Sequence, residues 1–163
     1  MRTVDEIIRI AVSAHDGQKD LEGNPAILHV LAVGLMGANE LEQKVGFLHD
    51  VVEDTDLGLD DLRMMGVEED VLEAVDLLTH RDGISYEDYV RNILLSGNEA
   101  AIHVKVNDLQ QNGQRMEQTL WKLVSKEKLD MKKLEMYSEI DKRHTWALSY
   151  FSSNMGPFPA ACS

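Results

Sequence analysis

Apolar residues recur with helical spacing along most of the chain. Val4, Ile7, Ile8, Ala11 and Val12 fall at i, i+3, i+4, i+7 and i+8, one face of a helix that ends near His15. Asp16 to Pro25 holds two glycines, a proline and several charges, which predict an ordered loop. A helix follows from about Ile27 to Ala38. Leu41 to Val52 predicts another, with His49, Asp50, Glu53 and Asp54 gathered at its C-terminal end. Asp60 to Met65 reads as a short helix, and Glu68 to Thr79 repeats the amphipathic pattern through Val71, Leu72, Val75 and Leu78. Ser85 with Asp88 three residues on resembles a capping box, opening a helix that carries Tyr86, Tyr89, Val90 and Ile93. Asn98 to Asn112 contains a β-branched run that would suit a strand, but it is long enough to be a buried helix and is taken as one. Glu117 to about Ser152 predicts either one helix broken near Glu127 to Met131 or two helices packed as a hairpin. Residues 153–163, with Gly156, Pro157 and Pro159, read as a disordered tail. No strand pairs joined by hairpin turns and no internal repeat emerge. The expected fold is all-α: one domain over 1–152, with a core at about 5–115 and C-terminal helices over 117–152.

Composition and charge narrow the setting. The 163 residues suit one domain, and 44% hydrophobic residues suffice for a globular core. Sixteen Lys and Arg against twenty-nine Asp and Glu give a net charge of −13, a field that repels nucleic-acid backbones and anionic membranes. A small polyanionic substrate would need a metal ion or a local basic cluster to approach. The lone cysteine, Cys162, permits no intrachain disulfide, which fits a reducing compartment. The N-terminus turns acidic at once and lacks the apolar stretch of a signal peptide, and no apolar run approaches the roughly 18 residues of a membrane span. The expectation is a cytoplasmic protein.

The chemistry concentrates in His49-Asp50-Val51-Val52-Glu53-Asp54. In a continuous helix, His49 and Glu53 share one face, and Asp50 and Asp54 an adjacent one. Apolar neighbours place these groups at a core boundary, where an acidic cluster without a cation is unfavourable and a bound metal resolves the conflict. The alternative is a solvated acidic helix end, although acidic groups at a helix C-terminus oppose the helix dipole.

Five stretches in order carry a resemblance: Ala14-His15-Asp16-Gly17-Gln18; Gly23-Asn24-Pro25-Ala26-Ile27-Leu28-His29; His49 to Thr55; Leu78 to Tyr89; and Val104 to Asn112. Together they resemble HD-domain metal-dependent phosphohydrolases, and within these the ppGpp hydrolase domain of RelA/SpoT homologues, the enzymes of the stringent response. The resemblance implies metal ligation by His29, His49, Asp50 and Asp108, a mixed nitrogen and oxygen set that suits Mn²⁺ and also accepts Fe, Co, Ni or Zn. It implies catalysis by Glu53 and Asp54, which orient or deprotonate water and return a proton. The implied activity is release of pyrophosphate from the 3′ oxygen of ppGpp, with Lys19, Arg81, Lys105 and Arg115 as candidate positive groups. Asn112 is expected near the nucleotide, and Tyr86 or Tyr89 beside the base. His15 matches a family position outside the ligand set and is taken as structural or supporting. His80, His103 and His144 are expected at the surface or in packing.

The family pattern differs here at Ala26 and Val30, where it carries Tyr and Pro, and at Asn107 and Leu109, where it carries Ala and Arg. These changes leave the implied ligands and acids in place, so phosphate-ester hydrolysis is better supported than the identity of the substrate. Other nucleotide phosphohydrolases of the superfamily, and a noncatalytic nucleotide sensor, stand as the alternatives. A chain of this length is expected to be a stand-alone hydrolase, without the synthetase domain of the long RelA/SpoT type. Met131 and Met136 mark the C-terminal helices as a possible homo-oligomer surface.

Overall fold

A computed structural model describes residues 1–125 and 130–155. These form nine α-helices and no strand beyond an isolated bridge between Lys19 and Pro25, so the all-α expectation holds among the described residues. The chain divides into two compact units, Met1–Asn107 and Asp108–Cys162.

In the first unit, α1 (Val4–Ala14) opens on a complete capping box, with Thr3 accepting from the Glu6 amide and Glu6 reaching back. α2 (Ile27–Leu35) ends three residues earlier than expected, because the chain turns tightly at Gly37, where a Cβ would lie 2.5 Å from the Gln43 nitrogen. α3 (Glu40–Leu48) begins at an Asn39 cap. It packs against α1, α2 and α6, and its buried Val45, Phe47 and Leu48 make it the centre of the unit. The α2–α3 crossing is close because Gly34 and Gly46 face one another: a Cβ on Gly46 would lie 2.8 Å from the Gly34 Cα.

The helix expected over Leu41 to Val52 is interrupted. α3 stops at Leu48 and the four-residue α4 (Val51–Asp54) begins after a junction formed by His49 and Asp50. His49 Nδ1 bonds the Gly46 carbonyl at 2.8 Å, the oxygen that the Asp50 amide would take in an uninterrupted helix. Asp50 accordingly sits at φ −98°, ψ −5°, in the sparsely allowed bridge region.

α5 (Leu59–Met64) and α6 (Glu69–Leu78) follow close to expectation, and α7 (Tyr86–Leu95) starts on the predicted Ser85 cap. The segment taken as helix over Asn98 to Asn112 is helical and does not stop there. α8 (Glu99–Val124) runs through Gly113 without a break and so crosses from one unit into the next. An interior glycine weakens a helix by only about 1 kcal/mol, which the buried residues on either side of it outweigh.

In the second unit, α9 (Met131–Asn154) begins at an Asp130 cap. Met116 and Leu123 of α8 and Tyr137 of α9 form a core with Leu120 and Ile140, which is the hairpin alternative. Of the expected break near Glu127 to Met131, positions 126–129 lie outside the described residues. Of the tail expected over 153–163, Ser153 and Asn154 are instead helical, since α9 continues to Asn154; residues 156–163 lie outside the description. No helix among the described residues is long and apolar enough to cross a membrane.

Candidate metal centre

His29, on α2, and His49, at the end of α3, are 8% and 3% exposed. Their Nε2 atoms are 3.3 Å apart. Asp50 completes the cluster, with Oδ1 3.1 Å from His49 Nε2 and Oδ2 3.6 Å from His29 Nε2. Because His49 Nδ1 faces a carbonyl it donates there, which leaves Nε2 directed at His29 and Asp50 as the nitrogen that can offer a lone pair to a cation. Such an outward carbonyl partner is the usual support of a metal-ligating histidine.

The donor set passes a geometric test for a divalent cation. Two donors each about 2.1 Å from one ion, at right to tetrahedral angles, lie roughly 3.0 to 3.4 Å apart; the 3.1 and 3.3 Å separations fall in that range and the 3.6 Å one lies just above it. Buried imidazole nitrogens and a carboxylate this close repel or starve one another without a proton or a cation between them.

Glu53 and Asp54 project from α4 beside this cluster. Both residues are exposed, yet packing on one side raises both carboxyls above their ordinary values. For Glu53 the largest cause is partial burial, joined by the charges of Asp50 and Asp54 and opposed by the His80 amide and Lys105. For Asp54 burial again leads, followed by the Asp50 charge, with His15, His49 and His29 pulling the other way. Raised carboxyls next to a metal-competent cluster hold a proton more readily than ordinary ones, as a group that takes a proton from water must.

The surrounding elements hold these acids in place. Gln18 Nε2 donates to the Asp54 carbonyl at 2.7 Å, satisfying the end of α4, and Gln18 Oε1 accepts from His15 Nδ1 at 2.8 Å. His15 is thus a buried supporting group. The His80 amide donates to Glu53 Oε2 at 2.8 Å. Sequence reading missed both Gln18 and His80. Each lay inside a quoted motif, but one works through a main-chain carbonyl and the other through its own main-chain N–H, which residue type does not advertise.

The remaining candidates are placed as follows. Lys105 lies with Nζ 5.1 Å from the centre of the Tyr89 ring. Tyr89 is buried, its hydroxyl donating to the Leu78 carbonyl and its ring stacked on His80; Tyr86 is half-buried nearby. Arg81 is exposed and paired with Asp76, and Lys19 is exposed in the loop after α1. Asp108, the first residue of the second unit, is buried and accepts from Asn112 Nδ2 at 2.6 Å. Arg115 is half-buried on the same helix. His103 pairs through Nδ1 with the buried Glu42 at 2.9 Å, a packing role as expected. Of the positions that depart from the family pattern, Val30 and Leu109 are fully buried, so those two changes fall on packing rather than on a substrate wall.

No family model matches the chain. A GTP pyrophosphokinase of Streptomyces coelicolor is 37% identical over 95 residues, 56% of this chain and 10% of that protein. A putative chloroplastic GTP diphosphokinase RSH1 of Oryza sativa is 41% identical over 58 residues, 33% of this chain. The chain therefore spans about a tenth or less of the length of these curated relatives. Among solved structures, a metazoan ortholog of SpoT, described as hydrolysing ppGpp and acting in starvation responses, aligns at TM-score 0.65 with 21% identity. The alignment covers 93% of this chain and 88% of that one. The chain has the fold of a SpoT ortholog. The resemblance to RelA/SpoT proteins read from the motifs is thus shared by sequence relatives and by a structural neighbour. The SpoT-like fold brings His29, His49 and Asp50 to one point.

Proposed function

We propose that this chain is a metal-dependent phosphohydrolase that cleaves the 3′-pyrophosphate from ppGpp, leaving GDP. The observation that carries the reading is the convergence of His29 Nε2, His49 Nε2 and Asp50 at metal-ligand spacing beside two raised carboxyls. A SpoT-like fold with this donor set suits hydrolysis, although the curated relatives are named as pyrophosphokinases.

In this reading His29, His49, Asp50 and, from the motif, Asp108 hold one divalent cation, with Mn²⁺ the favoured occupant. When bound, the ion lowers the pKa of water and offsets charge on phosphoryl oxygens. Glu53, its Oε2 held by the His80 amide, takes the proton of the attacking water. Asp54, its backbone held by Gln18, is the neighbouring acid that shares or returns a proton. Lys105, whose charge already reaches Glu53, supplies positive charge on the substrate side. Lys19, Arg81, Asn112, Tyr86 and Tyr89 remain the candidate substrate contacts, of which Tyr89 is buried.

The test is direct. The protein is purified in chelator, resupplied with Mn²⁺, and followed for pyrophosphate release from ppGpp beside phosphate release from a panel of nucleotides. Metal-dependent pyrophosphate release is expected. Activity on the panel alone moves the assignment to another nucleotide phosphohydrolase, and tight ppGpp binding without turnover makes the chain a sensor.

A further inference from the structure

The turn after α6 is built around one imidazole. Thr79 leaves the helix at ψ 109°, its hydroxyl bonded back to the Val75 carbonyl and its amide to the Asp76 carbonyl, the acceptor that the next amide would take in a continued helix, so that amide is free of the ladder. That amide belongs to His80 and points to Glu53 Oε2 at 2.8 Å. The His80 ring is fixed on two sides. It stacks on Tyr89 with centroids 4.8 Å apart and meets Tyr86 edge-on at 6.3 Å. Its Nε2 bonds the Ile84 carbonyl at 2.8 Å, closing a loop that Gly83, at φ +84°, allows to turn. Tyr89 also donates its hydroxyl to the Leu78 carbonyl, so one tyrosine grips both sides of the same turn.

We propose that His80 is the positioning residue for Glu53: its ring locks the turn after α6 so that its own main-chain N–H is delivered to the Glu53 carboxylate. A hydrogen bond from a fixed amide selects one orientation of a long, otherwise mobile side chain, leaving the second oxygen for water. The ring is required because an amide donor at the end of a helix is only as well placed as the loop that carries it. The kinetic part of this inference rests on Glu53 as the catalytic carboxylate. The contact itself does not.

Two measurements separate them. Amide exchange at residue 80, read by NMR on the whole chain, is expected to be at least about tenfold slower in the wild type than in Glu53→Ala. Equal exchange in the two removes the contact and overturns the proposal. In turnover, His80→Ala is expected to lower kcat about tenfold with KM changed less than twofold. His80→Gln, which keeps a side-chain donor for the Ile84 carbonyl, restores most of the loss. In a Glu53→Gln background His80→Ala adds nothing further, since both changes act through one group. A further loss there, or a fall in melting temperature that tracks the loss of rate in both His80 variants, shows a role in folding only. Absence of turnover on every phosphate ester overturns the function proposed for Glu53, while slow exchange at residue 80 still identifies His80 as the group that holds it.

Discussion

His29 and His49 direct their Nε2 atoms at each other across 3.3 Å, from two different helices and at 8% and 3% exposure. Two buried imidazole nitrogens held this close, with Asp50 beside them, offer a site for a cation, which stabilises the fold if it binds the folded state alone. Mn²⁺ added to chelator-treated protein is therefore expected to raise the melting temperature, corresponding to about 2.7 kcal/mol at a hundredfold excess over Kd. His29→Ala should abolish the shift, and an undiminished shift in that variant would remove His29 from the ligand set.

The spacing of the two histidines depends on glycine. Gly46 packs its Cα on Gly34 where α3 crosses α2, and its carbonyl orients His49. In Gly46→Ala the new methyl meets backbone 2.8 Å away, which cannot rotate aside. Overpacking of this kind costs about 1 to 3 kcal/mol. Urea unfolding should show that loss, and titration with Mn²⁺ should show weaker binding, because the same displacement separates His29 from His49. Gly34→Ala, whose methyl would meet the Phe47 ring, is expected to lose stability in the same way.

Helix periodicity placed α1, α5 and α6 to within a residue at each end and the start of α7, because each of these buries one amphipathic stripe. It failed at two points for physical reasons. The His49–Asp50 junction is made by a side chain taking a helical carbonyl, and periodicity carries no signal for that exchange. The helix expected over Asn98 to Asn112 continues through Gly113 to Val124, because the apolar residues beyond it pack in the second unit. The histidines and acids proposed as ligands and catalysts were legible as a motif. Gln18 and His80 were not, since Gln18 acts on the main-chain carbonyl of a residue distant in sequence and His80 through its own main-chain N–H.

Glu53→Gln separates chemistry from binding. Loss of the carboxylate that handles a proton should lower kcat by about 10² to 10⁴, while the Mn²⁺ melting shift persists because Glu53 is outside the ligand cluster. The metal-free protein should also become more stable near neutral pH. The Glu53 carboxyl is raised in the folded state, chiefly by burial. Its ionisation therefore opposes folding above that raised value, and the opposition vanishes as pH falls below the ordinary carboxylate range. Melts across pH should show Glu53→Gln gaining over wild type at neutral pH and converging with it in acid. A variant with wild-type turnover would remove Glu53 from the mechanism.

Away from the metal centre, Lys44 is the group whose loss should be felt most. It is 3% exposed on α3 and bonds Glu68 at 2.8 Å and Glu40 at 2.9 Å. Glu68 is the residue on which α6 begins, so the pair fastens α6 to the helix that carries His49. Burial pulls the Lys44 ammonium down, but the bonds to Glu68 and Glu40 outweigh it and leave it raised; burial lifts Glu68, and Lys44 more than reverses this. Lys44→Ala strands a largely buried carboxylate and is expected to cost about 3 kcal/mol, whereas replacing both partners, Lys44→Met with Glu68→Leu, should stay within about 1 kcal/mol of wild type. The pH dependence follows from the two directions. The depressed Glu68 contributes stability above the ordinary carboxylate value and loses it as pH falls through its lowered folded value. The raised Lys44 contributes below the ordinary lysine value and loses it as pH rises through its higher folded value. Urea midpoints of wild type minus the double variant should accordingly be flat between these limits and fall away at both. A difference that instead changes near pH 7 would place the pair's energetics on another group.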